Sequence, residues 1–286
     1  MNDYVIITDS ACDIAADILS DWGVKSLSLT LRFSDEDKEY GNDEISAKEF
    51  YQRMRDGAHA QTSAINIEGF KEVFRRELSE GRDVLYLGFS SGLSNTYNAG
   101  RLAAEELHEE FPDRRVIAVD TLCASAGEGL IVYLAAEKQK SGATIEETAR
   151  FVTENRLSLC HWFTVDDLKY LKRGGRVSPT AAFVGGVLNI KPVMHVDDAG
   201  KLVPVSKVRG RRAALREIAA QYEKLALDKN GIVFISHGDC MDDVNEIKAL
   251  LEEKGGEVKI ITYVGPVIGA HSGPGTLAVF FMGKNR

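Results

Sequence analysis

Short apolar runs alternate with longer segments of helical periodicity along most of the chain. The short runs are rich in β-branched and aromatic residues, which is typical of buried strands. Strands are predicted at Tyr4–Ile7, Lys25–Leu31, Val84–Gly88, Val116–Val119, Leu159–Val165, Ile190–Val196, Leu202–Val208, Ile232–Ser236, Val258–Tyr263 and Leu277–Phe281. Because a helical segment follows most of them, the pattern favours mainly parallel sheets covered by helices.

Three helix starts carry recognisable capping residues. Ser46 and Thr144 each stand three residues before a glutamate, so that hydroxyl and carboxylate can satisfy two backbone donors at the helix start. Ser178-Pro179 predicts another start, with proline at the first helical position.

One connection leaves no room for a helix. Asp197-Asp198-Ala199-Gly200 lies directly between two predicted strands, which indicates a β-hairpin and hence a mixed sheet in the second half. The sequence therefore predicts an α/β protein of two domains, a parallel α/β/α domain at residues 1–157 and a mixed-sheet α/β domain at 158–286. The boundary is placed after a predicted helix at Ile145–Asn155.

Composition narrows the class of protein and reveals a charge asymmetry. The chain has 286 residues, 44% of them hydrophobic, and a net charge of −8, which excludes a disordered chain and a uniformly basic nucleic-acid binder. Between Lys169 and Arg216, however, eleven Lys and Arg stand against two Asp. That stretch carries +9 and the remainder −17, which predicts a region that attracts anions.

The cysteines and the N-terminus indicate the compartment. The four cysteines, at 12, 123, 160 and 240, lack the spacing of a zinc site and are interpreted as reduced thiols. The first residues lack the features of a secretion signal, and no apolar run approaches the length of a membrane span. We therefore expect a cytoplasmic protein without stable membrane insertion, without a bound metal and without a nucleic-acid partner.

Hydroxyl-rich segments follow or precede several predicted elements. Thr8-Asp9-Ser10 leaves the first strand and is interpreted mainly as a helix cap. Gln61-Thr62-Ser63 precedes a helix predicted to open near Ile67, where the two hydroxyls of Thr62 and Ser63 can either cap the helix or hold a carboxylate.

The segment from Gly88 to Thr96 allows two interpretations. Its glycines permit backbone amides to approach an anion, and it has no lysine of the nucleotide-binding P-loop. Its first five residues also match G-x-S-x-G, the nucleophile elbow of serine hydrolases, with Ser90 as the nucleophile. Asp120 or Asp166, followed by His237 or His271, would complete that alternative, although no HGGG-like oxyanion segment lies upstream.

A histidine and several arginines are framed by glycines. His271 lies in a predicted loop, Gly265–Gly275, that contains four glycines and two prolines, which favours a ligand contact over core packing. Arg176 and Arg209 follow or precede glycine turns, and their planar forks of donors suit carboxylate or phosphate.

Taken together, the motifs resemble the DegV family of bacterial lipid-binding proteins. They run in order along the whole chain: Thr8-Asp9-Ser10, Thr62-Ser63, Ser91-Gly92-Leu93-Ser94 with Thr96-Tyr97, Val119-Asp120, Leu171–Arg176, Leu188-Asn189-Ile190-Lys191-Pro192, Lys207-Val208-Arg209, and His271 with Gly273-Pro274-Gly275. The sequence departs from the family's pattern at Ala64-Ile65 and at Asn95.

The resemblance implies a protein that binds one long-chain fatty acid in a tunnel at the domain junction. It further implies no turnover of its own and no cofactor, but presentation of the acyl carboxylate to the ATP-using subunit of a fatty acid kinase. Thr62 and Ser94 would hold the head group, Arg176 and His271 would surround it, and Arg209 would face the kinase. Apolar residues at 181–188 are expected to cover the acyl chain. Besides the hydrolase, a binding protein for another anionic metabolite is a further alternative.

Overall fold

The computed structural model describes residues 4–178 and 189–286. Its strands are β1 (Tyr4–Asp9), β2 (Val24–Leu27), β3 (Thr30–Phe33), β4 (Glu39–Gly41), β5 (Ala60–Ser63), β6 (Asp83–Gly88), β7 (Val116–Asp120), β8 (Leu159–Thr164), β9 (Ile190–Val196), β10 (Leu202–Arg209), β11 (Ile232–His237), β12 (Glu257–Tyr263) and β13 (Leu277–Met282). Its α-helices are α1 (Ala16–Trp22), α2 (Ala47–Arg55), α3 (Ile67–Ser79), α4 (Thr96–Glu110), α5 (Ala126–Lys140), α6 (Ile145–Asn155), α7 (Lys169–Arg173), α8 (Arg211–Leu225), α9 (Met241–Glu253) and α10 (Pro266–Ser272).

The first half contains the predicted parallel sheet, with strand order β2-β1-β6-β7. Every residue of β1 is buried, because helices cover both faces of the sheet. Ile6 and Leu85 pack on one face with α5 and α6, and Ile7 and Tyr86 pack on the other with α3 and α4. The α/β/α prediction for this half is confirmed.

The second half contains a six-stranded mixed sheet of order β10-β9-β8-β13-β11-β12. The predicted hairpin joins β9 to β10 in antiparallel register, and a carbonyl of its turn, at Gly200, accepts a hydrogen bond from Ser90 Oγ at 2.8 Å. Trp162 and Val279 face α8 and α9 on one side of the sheet. Phe163 and Phe280 face the parallel sheet on the other.

Helix α5 forms a layer shared by the two sheets. All residues from Ala126 to Val132 are buried, as expected of a helix segment enclosed on all sides, and they include one ionisable side chain, Glu128. It packs against Ile6 and Leu87 of the parallel sheet and Phe280 of the mixed sheet within one apolar cluster. The predicted boundary at residue 157 falls in the short 3₁₀ helix Arg156–Ser158 and stays a prediction.

A third, three-stranded antiparallel sheet of order β4-β3-β5 was not predicted. The single strand predicted at Lys25–Leu31 is wrong, because the chain breaks at Ser28-Leu29 and enters a different sheet. Two hydrogen bonds stabilise the segment between the two strands. Ser28 Oγ accepts from Asn42 N at 2.9 Å, and Leu29 N donates to Ser10 Oγ at 3.0 Å. Residues 61–63 lie in β5 of this sheet and not at a helix start, and α3 is capped by Asn66.

The remaining local predictions have mixed outcomes. Ser46 caps α2, and Thr144 forms a full capping box with Glu147. The glycine-framed segment predicted to be a loop contains α10, so His271 lies on a helix. Pro179, the second residue of the predicted Ser178-Pro179 start, and the apolar run at 181–188 lie outside the described residues. Within the described ranges, no helix is long and apolar enough to cross a membrane.

Candidate functional site

A cavity of about 320 Å³ lies between the two halves of the chain. One wall of the cavity consists of alternate residues in and next to β13, namely Thr276, Ala278 and Phe280. They share this wall because successive side chains of a strand point to opposite faces. Among described residues, the apolar lining is Leu29, Ala64, Phe89, Leu93, Ala124, Phe163, Leu171, Val196, Leu202, Val264, Val267, Ile268, Ala278 and Phe280. The lining is therefore mostly apolar, as in sites for lipophilic ligands.

Thr62 and His271 meet at the polar end of this cavity. Thr62 lies on β5 and His271 in the last turn of α10, and Thr62 Oγ1 is 2.8 Å from His271 Nε2. Gly174 abuts the imidazole so closely that a Cβ there would collide with Nδ1. Burial and the neighbouring charge of Arg176 lower the pKa of His271 to about 4. The imidazole is therefore neutral at neutral pH and acts as a hydrogen-bonding group.

Arg176 brings a positive charge to the same end. Its Nε donates to the carbonyl of Leu93 at 3.2 Å, and its Nη1 donates to the carbonyl of Gly174. Burial lowers the pKa of the guanidinium from its ordinary value, as expected when a charge is removed from water. No carboxylate among the described residues pairs with Arg176, so an anionic ligand would complete its interactions.

Ser94 lies just before α4, in the hydroxyl-rich segment. Its amide donates to the carbonyl of Ser90 at 3.1 Å, and its Oγ is 2.8 Å from Thr96 Oγ1. Asn95, the N-cap of α4, makes no side-chain capping bond. The helix N-terminus and the Ser94 hydroxyl thus both favour negative charge at the cavity's polar end.

Four of the six predicted residues line this cavity and two do not. Thr62, Ser94, Arg176 and His271 lie together, whereas Ser63 is exposed and is not among the described lining residues. Strand periodicity explains the difference, because adjacent residues of β5 point to opposite faces. Arg209 is exposed at the end of β10, an edge strand of the mixed sheet, away from the cavity lining.

Four of the eleven basic side chains between Lys169 and Arg216 pair with acids from outside the stretch. Lys191 pairs with Asp166 at 2.8 Å, and Arg211 pairs with Asp243 at 2.9 Å. Lys169 and Arg212 pair with Asp167 and Glu246. The sequence predicted an anion-attracting region over the whole stretch. Among the described residues of that stretch, Arg176 is the cation that lines the cavity.

Several lining residues were not predicted from the sequence. Ser125 and Ser236 form a hydrogen bond of 2.9 Å across the two halves, and Ser272 and Thr276 lie beyond His271. His161, predicted to be structural, also contacts the cavity, but both its ring nitrogens bond the backbone, at Leu159 O and Ala124 N. The apolar run of β13 was a signal for the wall, but nothing in the local sequence indicates that Ser125 and Ser236 pair.

The geometry around Ser90 does not support the hydrolase alternative. Its buried hydroxyl donates to the carbonyl of Gly200, and no histidine within the described ranges lies in hydrogen-bond contact with it. His237 accepts from the amide of Cys240, and His271 bonds Thr62. Asp120 accepts from the backbone amides at 91 and 122. The nucleophile, base and acid of a triad are thus each engaged elsewhere.

Comparisons with known proteins agree on one family. The family model described as "Uncharacterised protein, DegV family" matches residues 3–284. A DegV domain-containing protein of Clostridium perfringens is 42% identical over 100% of this chain and 99% of its own length.

Two solved structures are similar over nearly the whole chain. A DegV lipid-binding protein of Thermotoga maritima aligns with a TM-score of 0.85 and 31% identity, covering 99% of each chain. A DegV family protein of Thermus thermophilus, described by its fatty acid binding, aligns with a TM-score of 0.87 and 31% identity, covering 97% of this chain and 98% of its own. The fold is thus that of two-domain α/β lipid-binding proteins. The chain belongs to the DegV family.

Proposed function

We propose that this protein binds one long-chain fatty acid, with its carboxylate at Arg176, Thr62, Ser94 and His271 and its acyl chain in the apolar cavity. The observation that carries the proposal is an apolar cavity that has, at one end, two hydroxyls and a guanidinium that pairs with no described carboxylate. The fatty acid and lipid binding of the two solved relatives supports it.

The apolar wall would supply most of the affinity. Each buried methylene contributes about 0.8 kcal/mol, so a long chain outweighs the head-group hydrogen bonds. The polar end would supply orientation, because a buried carboxylate needs a charged partner and hydrogen-bond donors. We infer that the acid enters one way round, with its carboxylate beside Arg176.

Identification of the bound lipid tests this proposal. The protein is produced in bacteria, purified, denatured and extracted, and the extract is analysed by mass spectrometry. The expected result is a fatty acid of long chain in about one copy per protein. Repeated extracts without lipid, together with no binding of added hexadecanoic acid, would overturn the proposal, and recovery of a different anionic metabolite would favour that alternative.

We further propose that the protein does not turn over its ligand but presents the carboxylate to the ATP-using subunit of a fatty acid kinase. Arg209 would contact that subunit, since it is exposed on β10 and makes no ion pair with a described residue. In a mixture with the kinase subunit and ATP, acyl phosphate should form only when both proteins are present. Arg209→Glu should slow its formation without changing fatty acid affinity, whereas Lys229→Glu, at an exposed site outside β10, should not.

A further inference from the structure

A second set of polar side chains lines the cavity beyond the carboxylate site. These inner hydroxyls belong to Ser125, Ser236, Ser272 and Thr276. Ser236 lies opposite Ala278 in the register of β11 and β13, so the hydroxyls share a wall with apolar side chains. A simple hydrocarbon chain in this cavity would therefore contact oxygen atoms as well as carbon.

Three of the inner hydroxyls already have partners within the protein. Thr276 Oγ1 donates to the carbonyl of Gly273 at 2.7 Å. Ser125 Oγ donates to Asp13 Oδ2 at 2.5 Å and lies 2.9 Å from Ser236 Oγ. These bonds tie the hydroxyls to the surrounding structure and leave them little need of a ligand.

Ser272 differs from the other three. Its side chain is buried, with 6% of the residue exposed, and its Oγ makes no hydrogen bond with any described residue. A serine in a helix can satisfy its hydroxyl on the carbonyl four residues earlier, but Ser272 makes no such bond at the end of α10. Its donor and acceptor capacity is thus available to the cavity.

An unsubstituted acyl chain would fit this hydroxyl poorly. When a saturated chain excludes water from the cavity, the Ser272 hydroxyl loses its hydration and gains nothing in exchange, which costs free energy. An oxygen on the chain would remove that cost. A site with a buried polar group rejects ligands that leave the group unpaired.

We propose that Ser272 is a specificity-determining residue, which makes the cavity favour fatty acids with a hydroxyl group close to the carboxylate. Ser272 adjoins His271 in α10 and both residues line the cavity, so the proposal places the Ser272 hydroxyl beside the first carbons of the chain. The ligand class is therefore a 2-hydroxy or 3-hydroxy long-chain acid. This inference rests on the proposed fatty acid binding.

The test compares three ligands on two proteins. Affinities of hexadecanoic acid and of its 2-hydroxy and 3-hydroxy derivatives are measured by titration calorimetry with the wild-type protein and with Ser272→Ala. The variant should bind hexadecanoic acid about fivefold more tightly, because the unpaired hydroxyl is gone. It should bind at least one hydroxy acid about fivefold more weakly, because the new hydrogen bond is lost.

Thr276→Val is the matched control, since it removes a hydroxyl that already has a partner in the same wall. It should change all three affinities by a common factor. Ser272→Cys, which keeps the shape but donates weakly, should shift affinities in the same directions as alanine. Opposite shifts of the two ligand classes support the proposal. Equal shifts, or none, for every acid would overturn it and indicate a retained water or simple packing.

The same measurements distinguish failure of the fatty acid proposal from failure of the proposed role of Ser272. If the wild-type protein binds none of the three acids, both the fatty acid proposal and this inference fail together. If it binds hexadecanoic acid normally and Ser272→Ala alters no preference, only the role of Ser272 fails.

Discussion

His271 and Arg176 would divide two tasks at the proposed carboxylate site. The pKa of His271 is lowered to about 4, by burial and by the Arg176 charge, so the imidazole adds no second positive charge at neutral pH. Its bond to Thr62 fixes its orientation instead. One guanidinium would thus balance one carboxylate, and the proposed complex would bury no net charge, which is the less costly arrangement.

Replacement of the arginine should therefore weaken binding more than replacement of a hydroxyl. Arg176→Gln is expected to lower hexadecanoic acid affinity about tenfold to hundredfold, since a hydrogen bond to a charged group contributes about 1.5–3 kcal/mol. Displacement of a fluorescent fatty acid measures the change.

Arg212→Gln is the control for that variant. Arg212 lies in the same basic stretch, but its side chain is 79% exposed and pairs with Glu246. Its replacement should leave the affinity unchanged. Equal losses in the two variants would show that general positive charge, and not the placement of Arg176, attracts the acid.

Ser90 is expected to stabilise the fold without taking part in chemistry. Ser90→Ala removes the hydrogen bond to the Gly200 carbonyl and should cost about 1 kcal/mol of unfolding free energy in urea denaturation. A fluorophosphonate probe should label neither the wild type nor the variant. Labelling that disappears in Ser90→Ala would revive the hydrolase alternative.

At the scale of elements, the sequence predicted the strands and helix caps that depend on interactions between residues close together in the chain. The parallel strands and the caps at Ser46 and Thr144 follow from apolar runs and from hydroxyls placed three residues before a glutamate. The third sheet was missed because its β5, Ala60–Ser63, has no apolar run: it alternates partly buried and exposed residues. Its identity as a strand depends on pairing with β3, more than twenty residues earlier, and sequence alone does not show that pairing.

The site was predictable to a similar extent. Glycine and hydroxyl patterns, with the family resemblance, indicated Thr62, Ser94, Arg176 and His271, which the fold brings to one cavity. The hydroxyl pattern alone could not separate Thr62 from Ser63, since the face that each occupies depends on the unpredicted strand β5. Ser272 was not predicted as a site residue, because nothing in its local sequence shows that its hydroxyl lacks a described partner.

The hairpin between β9 and β10 contacts the first half of the chain through Gly200. Two features of the structure restrict substitution of this glycine. Gly200 has a φ of +71°, and a Cβ there would collide with Ser90 Oγ. Gly200→Ala should therefore destabilise the protein by about 2 kcal/mol more than Gly142→Ala, where φ is +93° but no atom lies near the added carbon. Urea denaturation of both variants measures the difference. Equal costs would mean that the hairpin tip does not pack against the loop in solution.

At the scale of the whole molecule, buried carboxyl groups lie where the halves meet. Asp13 Oδ1 accepts from the amide of Gly265 at 3.0 Å, and Oδ2 accepts from Ser125. Burial raises the pKa of Asp13 to about 8 and that of Asp9 to about 6, and it raises the pKa of Glu128 well above its usual range. None of the three makes an ion pair with a described cation.

Stability should consequently fall as pH rises. Between pH 6 and 8 the folded state holds a proton on Asp13 that the unfolded state has lost, so this group makes unfolding easier by about 1.4 kcal/mol per pH unit. Asp13→Asn keeps a carbonyl to accept from Gly265 and should remove that part of the slope. Urea denaturation at several pH values between 6 and 8 measures both proteins.

Asp17→Asn, at an exposed site on α1, is the control and should keep the wild-type slope. If Asp13→Asn also keeps that slope, then Asp13 is ionised in the folded protein at neutral pH.

The cavity wall is also part of the core: Phe163, Ala278 and Phe280 belong to the apolar cluster around α5. A ligand that fills the cavity therefore completes the packing and shifts the folding equilibrium by mass action. In a cell, proteases degrade the chains that open most often. If the proposed ligand is correct, the steady-state abundance of this protein should follow the supply of fatty acid, rising when it is plentiful and declining, with no change in synthesis, when it is scarce.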